Sequence, residues 1–248
     1  MTAPLIEARG LIAGYGRSPV VRDLDLVVGP GEVVCLLGAN GAGKSTTLLT
    51  IAGALPALGG EVDVLGAPVG HESAHRIAQR GLAIVPEGRG LFYRLTSAEN
   101  LRLRRHRKSQ VTIEEVLEIF PAIKRLMDRR AGLLSGGEQQ MLALAGALVA
   151  DPKVVMIDEM SLGLAPIIVE QLLPTVRRIA DERSIGVLLV EQHVVAALGV
   201  ADRGYVLAHG QVVASGSAED LRRDAELLEA SYLGDQKAIV AAESEHLL

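Results

Sequence analysis

Tryptophan is absent from this chain, and two Phe and four Tyr are its only other large aromatic residues. A core without big rings must rest on Val, Leu, Ile and Ala. So few rings also exclude an aromatic platform that stacks nucleic-acid bases. Cysteine is nearly absent as well. The single residue, Cys35, rules out an internal disulfide and fits a reducing compartment. It lies in the apolar run Val33-Val34-Cys35-Leu36-Leu37, where a thiol serves as a small buried hydrophobe. Positive charge is in deficit: 25 Lys and Arg face 30 Asp and Glu, a net charge of −5, which argues against DNA or RNA as the main partner. Long apolar runs are missing. The longest, residues 141–150, is well short of the ~18–20 residues that span a bilayer. The start, Met1-Thr2-Ala3-Pro4-Leu5-Ile6-Glu7, has neither a basic nor an apolar leader segment, so no signal peptide is expected. Membrane association would therefore come through a partner.

The remaining composition is that of a folded chain. Of 248 residues, 49% are hydrophobic and 22% charged, enough for one large α/β domain or two small ones. Residues 5–12 and 20–28 are rich in strand formers, and Gly29-Pro30-Gly31 marks a turn. The continuous apolar runs 33–37, 154–157 and 187–190 predict strands buried on both faces, hence a mainly parallel sheet. A short strand is expected at 83–85, ended by Pro86, and a hairpin at 203–214 around His209-Gly210. Residues 88–134 read as a helical insert: Thr96-Ser97-Ala98-Glu99 carries a capping-box pattern, and 111–127 is mostly helical with a break at Pro121. Residues 235–248 read as a polar tail. The expected organisation is one domain over 1–248, an α/β fold with an N-terminal antiparallel β-subdomain and a helical insert.

Two motifs carry chemistry. Gly38-Ala39-Asn40-Gly41-Ala42-Gly43-Lys44-Ser45-Thr46 fits the phosphate-loop pattern in full, after a strand and before a helix expected near 43–52. Its glycines let backbone N–H groups converge on phosphate oxygens. Lys44 reaches the β- and γ-phosphates, and the Ser45 hydroxyl suits Mg²⁺. The second motif is the strand 154–157, which ends in Asp158-Glu159. A carboxylate leaving a buried strand beside a phosphate loop holds Mg²⁺, and a second one polarises an attacking water. Asp158 takes the first role and Glu159 the second.

The stretch Leu134-Ser135-Gly136-Gly137-Glu138-Gln139-Gln140 narrows the field. With the two motifs above, and in the same order, it resembles the signature of the ABC (ATP-binding cassette) ATPases, a resemblance that covers nearly the whole chain. Several expectations follow from it. Ser135, Gly136 and Gly137 bind the γ-phosphate held by a facing subunit. Tyr15 stacks on adenine, unless it is an ordinary strand tyrosine. His193 contacts the γ-phosphate, and Gly38, Asn40, Gly41, Gly43 and Thr46 share the phosphate cradle. Two positions depart from the family's common pattern: Glu87 stands where Gln usually senses Mg²⁺ and the attacking water, and Ala165 stands where an Asp is usual.

Val85-Pro86-Glu87-Gly88-Arg89, Ser161-Leu162-Gly163-Leu164-Ala165-Pro166 and Ser231-Tyr232-Leu233-Gly234 resemble the smaller ATPase of high-affinity branched-chain amino-acid importers. That resemblance implies ATP and Mg²⁺ as ligands, two membrane permeases, a second ATPase subunit (or a second copy of this chain) and, indirectly, a substrate-binding protein. It implies a peripheral place on the cytoplasmic face of the inner membrane. A urea or amide importer and a non-transport ABC ATPase are the alternatives. The basic run at 102–108 reads as a solvated helical face, or as a contact for a permease loop or acidic lipid.

Overall fold

The computed structural model describes residues 3–70 and 72–223. The polar tail expected at 235–248 and the motif at 231–234 lie outside the described residues. In chain order the elements are β1 (Ile6–Tyr15), β2 (Ser18–Val28), β3 (Val33–Leu37), α1 (Lys44–Ile51), β4 (Ala57–Val64), β5 (Ala67–Pro68), α2 (Ala74–Arg80), β6 (Leu82–Val85), α3 (Ser97–Arg104), α4 (Ile113–Ile119) and α5 (Pro121–Lys124). A 3₁₀ turn (Ala131–Leu133) leads into α6 (Gly136–Leu148). The rest are β7 (Val154–Asp158), α7 (Pro166–Arg183), β8 (Gly186–Glu191), α8 (Val194–Leu198), β9 (Arg203–Ala208), β10 (Gln211–Ser217) and α9 (Ala218–Arg223).

Two sheets organise the described residues. The first is antiparallel, in the order β2-β1-β4-β5. The second runs β10-β9-β3-β8-β7-β6 and is parallel except for the β9–β10 hairpin. Side chains alternate across a strand, so β3, β7 and β8 feed two cores at once. Val34, Leu36, Val154, Met156, Leu188 and Val190 face the antiparallel sheet and α1, where Ile6, Leu24, Leu26, Leu48 and Ile51 fill the layer. Val33, Cys35, Leu37, Val155, Ile157, Val187 and Leu189 face the opposite layer, with Leu142, Leu172 and Val176 from α6 and α7. This double burial explains why the three runs are apolar throughout. Burial also pushes the Cys35 thiol pKa up, which keeps it a packing residue.

Between β6 and α6 the described chain is helices and turns, apart from a single bridge between Thr96 and Arg130. Both expected helix starts are capped. The Thr96 and Thr112 hydroxyls accept the N–H groups of Glu99 and Glu115, whose carboxylates accept the threonine N–H groups in return. The expected break falls at Phe120, where Pro121 opens α5.

The basic run is not a continuous helical face. Helix α3 ends at Arg104, and a turn follows at 107–108. Arg104 itself is half-buried and donates to the Gly90 carbonyl at 2.6 Å and the Arg89 carbonyl at 3.3 Å. The backbone leaves helical conformation at Arg105 (ψ 118°), and its guanidinium donates to the Val111 carbonyl, which turns the chain toward α4.

Candidate functional site

The phosphate loop springs from the C-terminal end of the central strand β3, where open parallel sheets place their ligands. Gly43 caps α1 with φ 109°, a conformation that disfavours any side chain, and a Cβ there would meet Val21 Cγ2 at 2.6 Å. No side chain caps this helix, so its first-turn N–H groups have no side-chain acceptor. The residues of that turn, Lys44, Ser45 and Thr46, line a cavity of about 510 Å³ together with Tyr15, Asn40, Gly41, Gly43, Glu87 and Glu159. A helix N-terminus of this kind favours anions.

Lys44 is 3% exposed. Its ammonium donates to the Gly38 and Ala39 carbonyls at 2.8 and 3.0 Å and lies 3.3 Å from Glu159 Oε1. A buried cation held in part by neutral carbonyls retains capacity for a stronger anionic partner. Asp158, on the last residue of β7, presents a buried Oδ1 with no hydrogen-bond partner. Its pKa is raised chiefly by burial, opposed by the Ser45 hydroxyl, and raised further by the charges of Glu159 and Glu87. An orphaned carboxylate oxygen beside a serine hydroxyl offers two of the oxygen donors a hard divalent cation takes. Among the described residues no group of three His, Cys, Asp or Glu is placed to hold a metal ion, so a cation here would need phosphate and water oxygens as further ligands.

Glu159 has φ 48°, a left-handed conformation that costs a non-glycine residue about 1 kcal/mol or more. Its N–H is held by the Val190 carbonyl at 2.9 Å. Glu87 lies exposed on the turn that follows β6, at the rim of the cavity.

The signature stretch is elsewhere. Ser135 caps α6 through a capping box: Glu138 N–H donates to Ser135 Oγ at 3.3 Å, and Ser135 N–H donates to Glu138 Oε2 at 2.7 Å. Ser135 is exposed, Gly136 half-buried and Gly137 buried, and none of them lines the phosphate cavity. The signature stretch and the phosphate-loop cavity are therefore separate surfaces of this chain. His193 is also outside. It precedes α8 and borders a neighbouring cavity lined by Ser161, Leu164, Pro166 and Val200. The exposed His193 flanks that space from the N-cap of α8, while Glu191, the last residue of β8, is buried.

Three residues join the site that spacing alone did not single out. Gln192 lines the cavity and donates to Asn40 Oδ1 at 2.6 Å. Arg89 donates to Gln139 Oε1 at 2.6 Å and to Gln140 Oε1 at 3.2 Å, linking the Glu87 turn to α6. Glu191, 2% exposed, accepts both the N–H and the hydroxyl of Ser161. The sequence signal for Gln192 and Glu191 was their place beside His193. For Arg89 it was its place beside Glu87.

A phosphate loop at the end of the parallel strand β3, with an acid pair at the end of β7 two places along the same sheet, defines a phosphate-loop nucleoside triphosphatase. The comparisons with known proteins are more specific. Residues 21–161 match the ABC transporter family. The chain is 42% identical to the high-affinity branched-chain amino acid transport ATP-binding protein BraG of Pseudomonas aeruginosa, over 89% of this chain and 95% of that one. It is 35% identical to the probable branched-chain amino acid transport ATP-binding protein LivF of Archaeoglobus fulgidus, over 85% and 91%. It is 33% identical to the lipopolysaccharide export system ATP-binding protein LptB of Haemophilus influenzae, over 94% and 98%. A solved ATP-binding subunit of an ABC transporter superposes with a TM-score of 0.77 at 29% identity, covering 96% of this chain and 99% of that one. The chain belongs to the ABC transporter family, as an ATP-binding and ATP-hydrolysing subunit. The α/β fold and the family expected from the motifs are borne out.

Proposed function

We propose that this chain energises uptake of branched-chain amino acids through membrane permeases, using Mg-ATP. The observation that carries this reading is the likeness to BraG along 89% of the chain. The cavity supports the chemistry. ATP binds against Tyr15 and the phosphate loop, with Lys44 and the N-terminus of α1 facing the phosphates. Ser45 and Asp158 would hold Mg²⁺, with Glu87 at the rim, and the cation would supply neutralisation of charge on the phosphate oxygens. Glu159 orients the attacking water and accepts its proton. Two cassettes close head-to-tail, so that residues 135–137 of each meet the nucleotide of the other. The facing subunit is a second, different ATPase or another copy of this chain.

Among the described residues no helix is long and apolar enough to cross a membrane. The reading therefore places the chain at the cytoplasmic face of the inner membrane, held by two permeases, with a substrate-binding protein acting indirectly. Exposed Phe92, Tyr93, Leu103 and Leu133, on and beside the helices between β6 and α6, suit a docking surface for such permeases.

Two experiments test the reading. A deletion strain should lose uptake of radiolabelled leucine and regain it with this chain. In the same chain Glu159→Gln should keep ATP binding and lower turnover by roughly 10²–10⁴-fold, and near-normal hydrolysis would remove Glu159 from its role. A second reading, a part in lipopolysaccharide export, has the LptB likeness in its favour. Intact leucine uptake in the deletion strain, with a defect in that export, would decide for it.

A further inference from the structure

The end of β8 touches two loops of the nucleotide site. The Val190 carbonyl accepts the N–H of Glu159 at 2.9 Å. Glu191 Oε1 accepts the N–H of Ser161 at 3.0 Å, and Oε2 accepts the Ser161 hydroxyl at 2.5 Å. Gln192 reaches the phosphate loop at Asn40. Two consecutive residues of one rigid, fully buried strand thus hold both ends of the three-residue turn that carries Glu159. That turn contains the left-handed backbone of Glu159, and such a conformation persists only where its surroundings over-determine it. Glu191 and Ser161 are 2% and 7% exposed, so water cannot replace their bonds without opening the core. A buried carboxylate is costly to keep and the family reading assigns it no chemistry, so the geometry calls for another use.

We propose that Glu191 is a positioning residue: its carboxylate pins Ser161 so that the Glu159 carboxylate is held toward Lys44 and the phosphate cavity. The proposal rests on the role given to Glu159 above. Short turns hold side-chain geometry to fractions of an ångström, and a misplacement of about 1 Å costs on the order of 10²-fold in rate.

The test is a double-mutant cycle in the full chain with Mg-ATP, read as kcat and KM. Glu191→Ala should lower kcat about 10²-fold and leave KM for ATP within about twofold. Glu191→Gln, which can still accept the Ser161 N–H and donate to its hydroxyl, should restore kcat to within about tenfold of the parent. Against a Glu159→Gln background, Glu191→Ala should change the residual rate by less than about twofold, because the group it positions is gone. Equal losses in both backgrounds, a loss carried by KM, or no rescue by Gln would overturn the proposal. Should Glu191→Ala fail to fold, Ser161→Ala removes only the 2.5 Å bond and should cost about tenfold in kcat, in the Glu159 background alone. A Glu159→Gln enzyme that hydrolyses at the parent rate would instead sink the assignment of Glu159, and the proposal with it.

Discussion

Replacing Arg89 should loosen the join between the nucleotide cavity and the signature helix, by an amount that can be worked out. The guanidinium makes two bonds, 2.6 Å to Gln139 Oε1 and 3.2 Å to Gln140 Oε1. Gln139 and Gln140 are 9% and 3% exposed. Gln139 keeps its own donations to the Ala131 and Leu134 carbonyls, so its amide stays in place with an unpaired oxygen when Arg89 is truncated. A buried acceptor left alone costs about 1–3 kcal/mol. Arg89 is half-exposed, so its removal lets water reach one of the two oxygens, and Arg89→Ala should cost about 2–4 kcal/mol in all. A backbone effect is superimposed, because Arg89 has φ 62°. Glycine at this position relieves about 1–2 kcal/mol of left-handed strain and loses about 0.4–1 kcal/mol through the freer unfolded chain. Arg89→Gly should therefore be at least as stable as Arg89→Ala, by a margin of about 0–1.6 kcal/mol. Urea unfolding followed by circular dichroism measures all three proteins. An Arg89→Ala cost below about 0.5 kcal/mol, or a glycine variant weaker than the alanine one, would refute the reasoning.

Two further outcomes follow from the fold. Gly210 has φ 79°, and a Cβ there would lie 1.9 Å from the Val20 carbonyl oxygen. Because the obstacle is backbone, Gly210→Ala should cost about 3 kcal/mol or more, seen as a lower melting temperature; a change below about 1 kcal/mol would contradict it. The same turn donates to the Ala42 carbonyl of the phosphate loop, so ATP affinity should fall as well. Glu99 and Glu115 have pKa values lowered first by the N–H groups of Thr96 and Thr112 that their carboxylates accept. The folded value lies below the unfolded one. Their stabilisation is thus fully present above the usual 4.5 and is lost as pH falls through the folded value. Replacing both by Gln should flatten the acid limb of the urea midpoint below pH 4.5, and parallel curves would count against it.

Much of the fold was legible because local chemistry and tertiary role coincide. The runs at 33–37, 154–157 and 187–190 are apolar on both faces and lie in the sheet centre as expected. The hairpin at 203–214 turns at His209-Gly210, both with positive φ. Other elements gave little sign of themselves. Strand β4 contains Gly59 and Gly60 and only two buried side chains, Val62 and Val64, so its alternation is short; pairing with β1 makes it a strand. Helix α7 starts at Pro166 and carries Pro174 inside, which breaks its local helical signal, yet Val169, Leu172, Leu173 and Val176 pack on the sheet.

The division at the site has the same physical cause. By themselves, the residues determined the phosphate loop, the acid pair, the capped signature and hence the family. Each of these is a contiguous motif whose chemistry depends on neighbours in the chain. Tertiary structure alone decided that His193 borders a different cavity, and that Arg89, Glu191 and Gln192 tie the loops together. Those relations join residues about 30 to 150 positions apart, and burial, register and strand order set them. No local pattern encodes such a contact, because a buried polar side chain is defined by what folds over it.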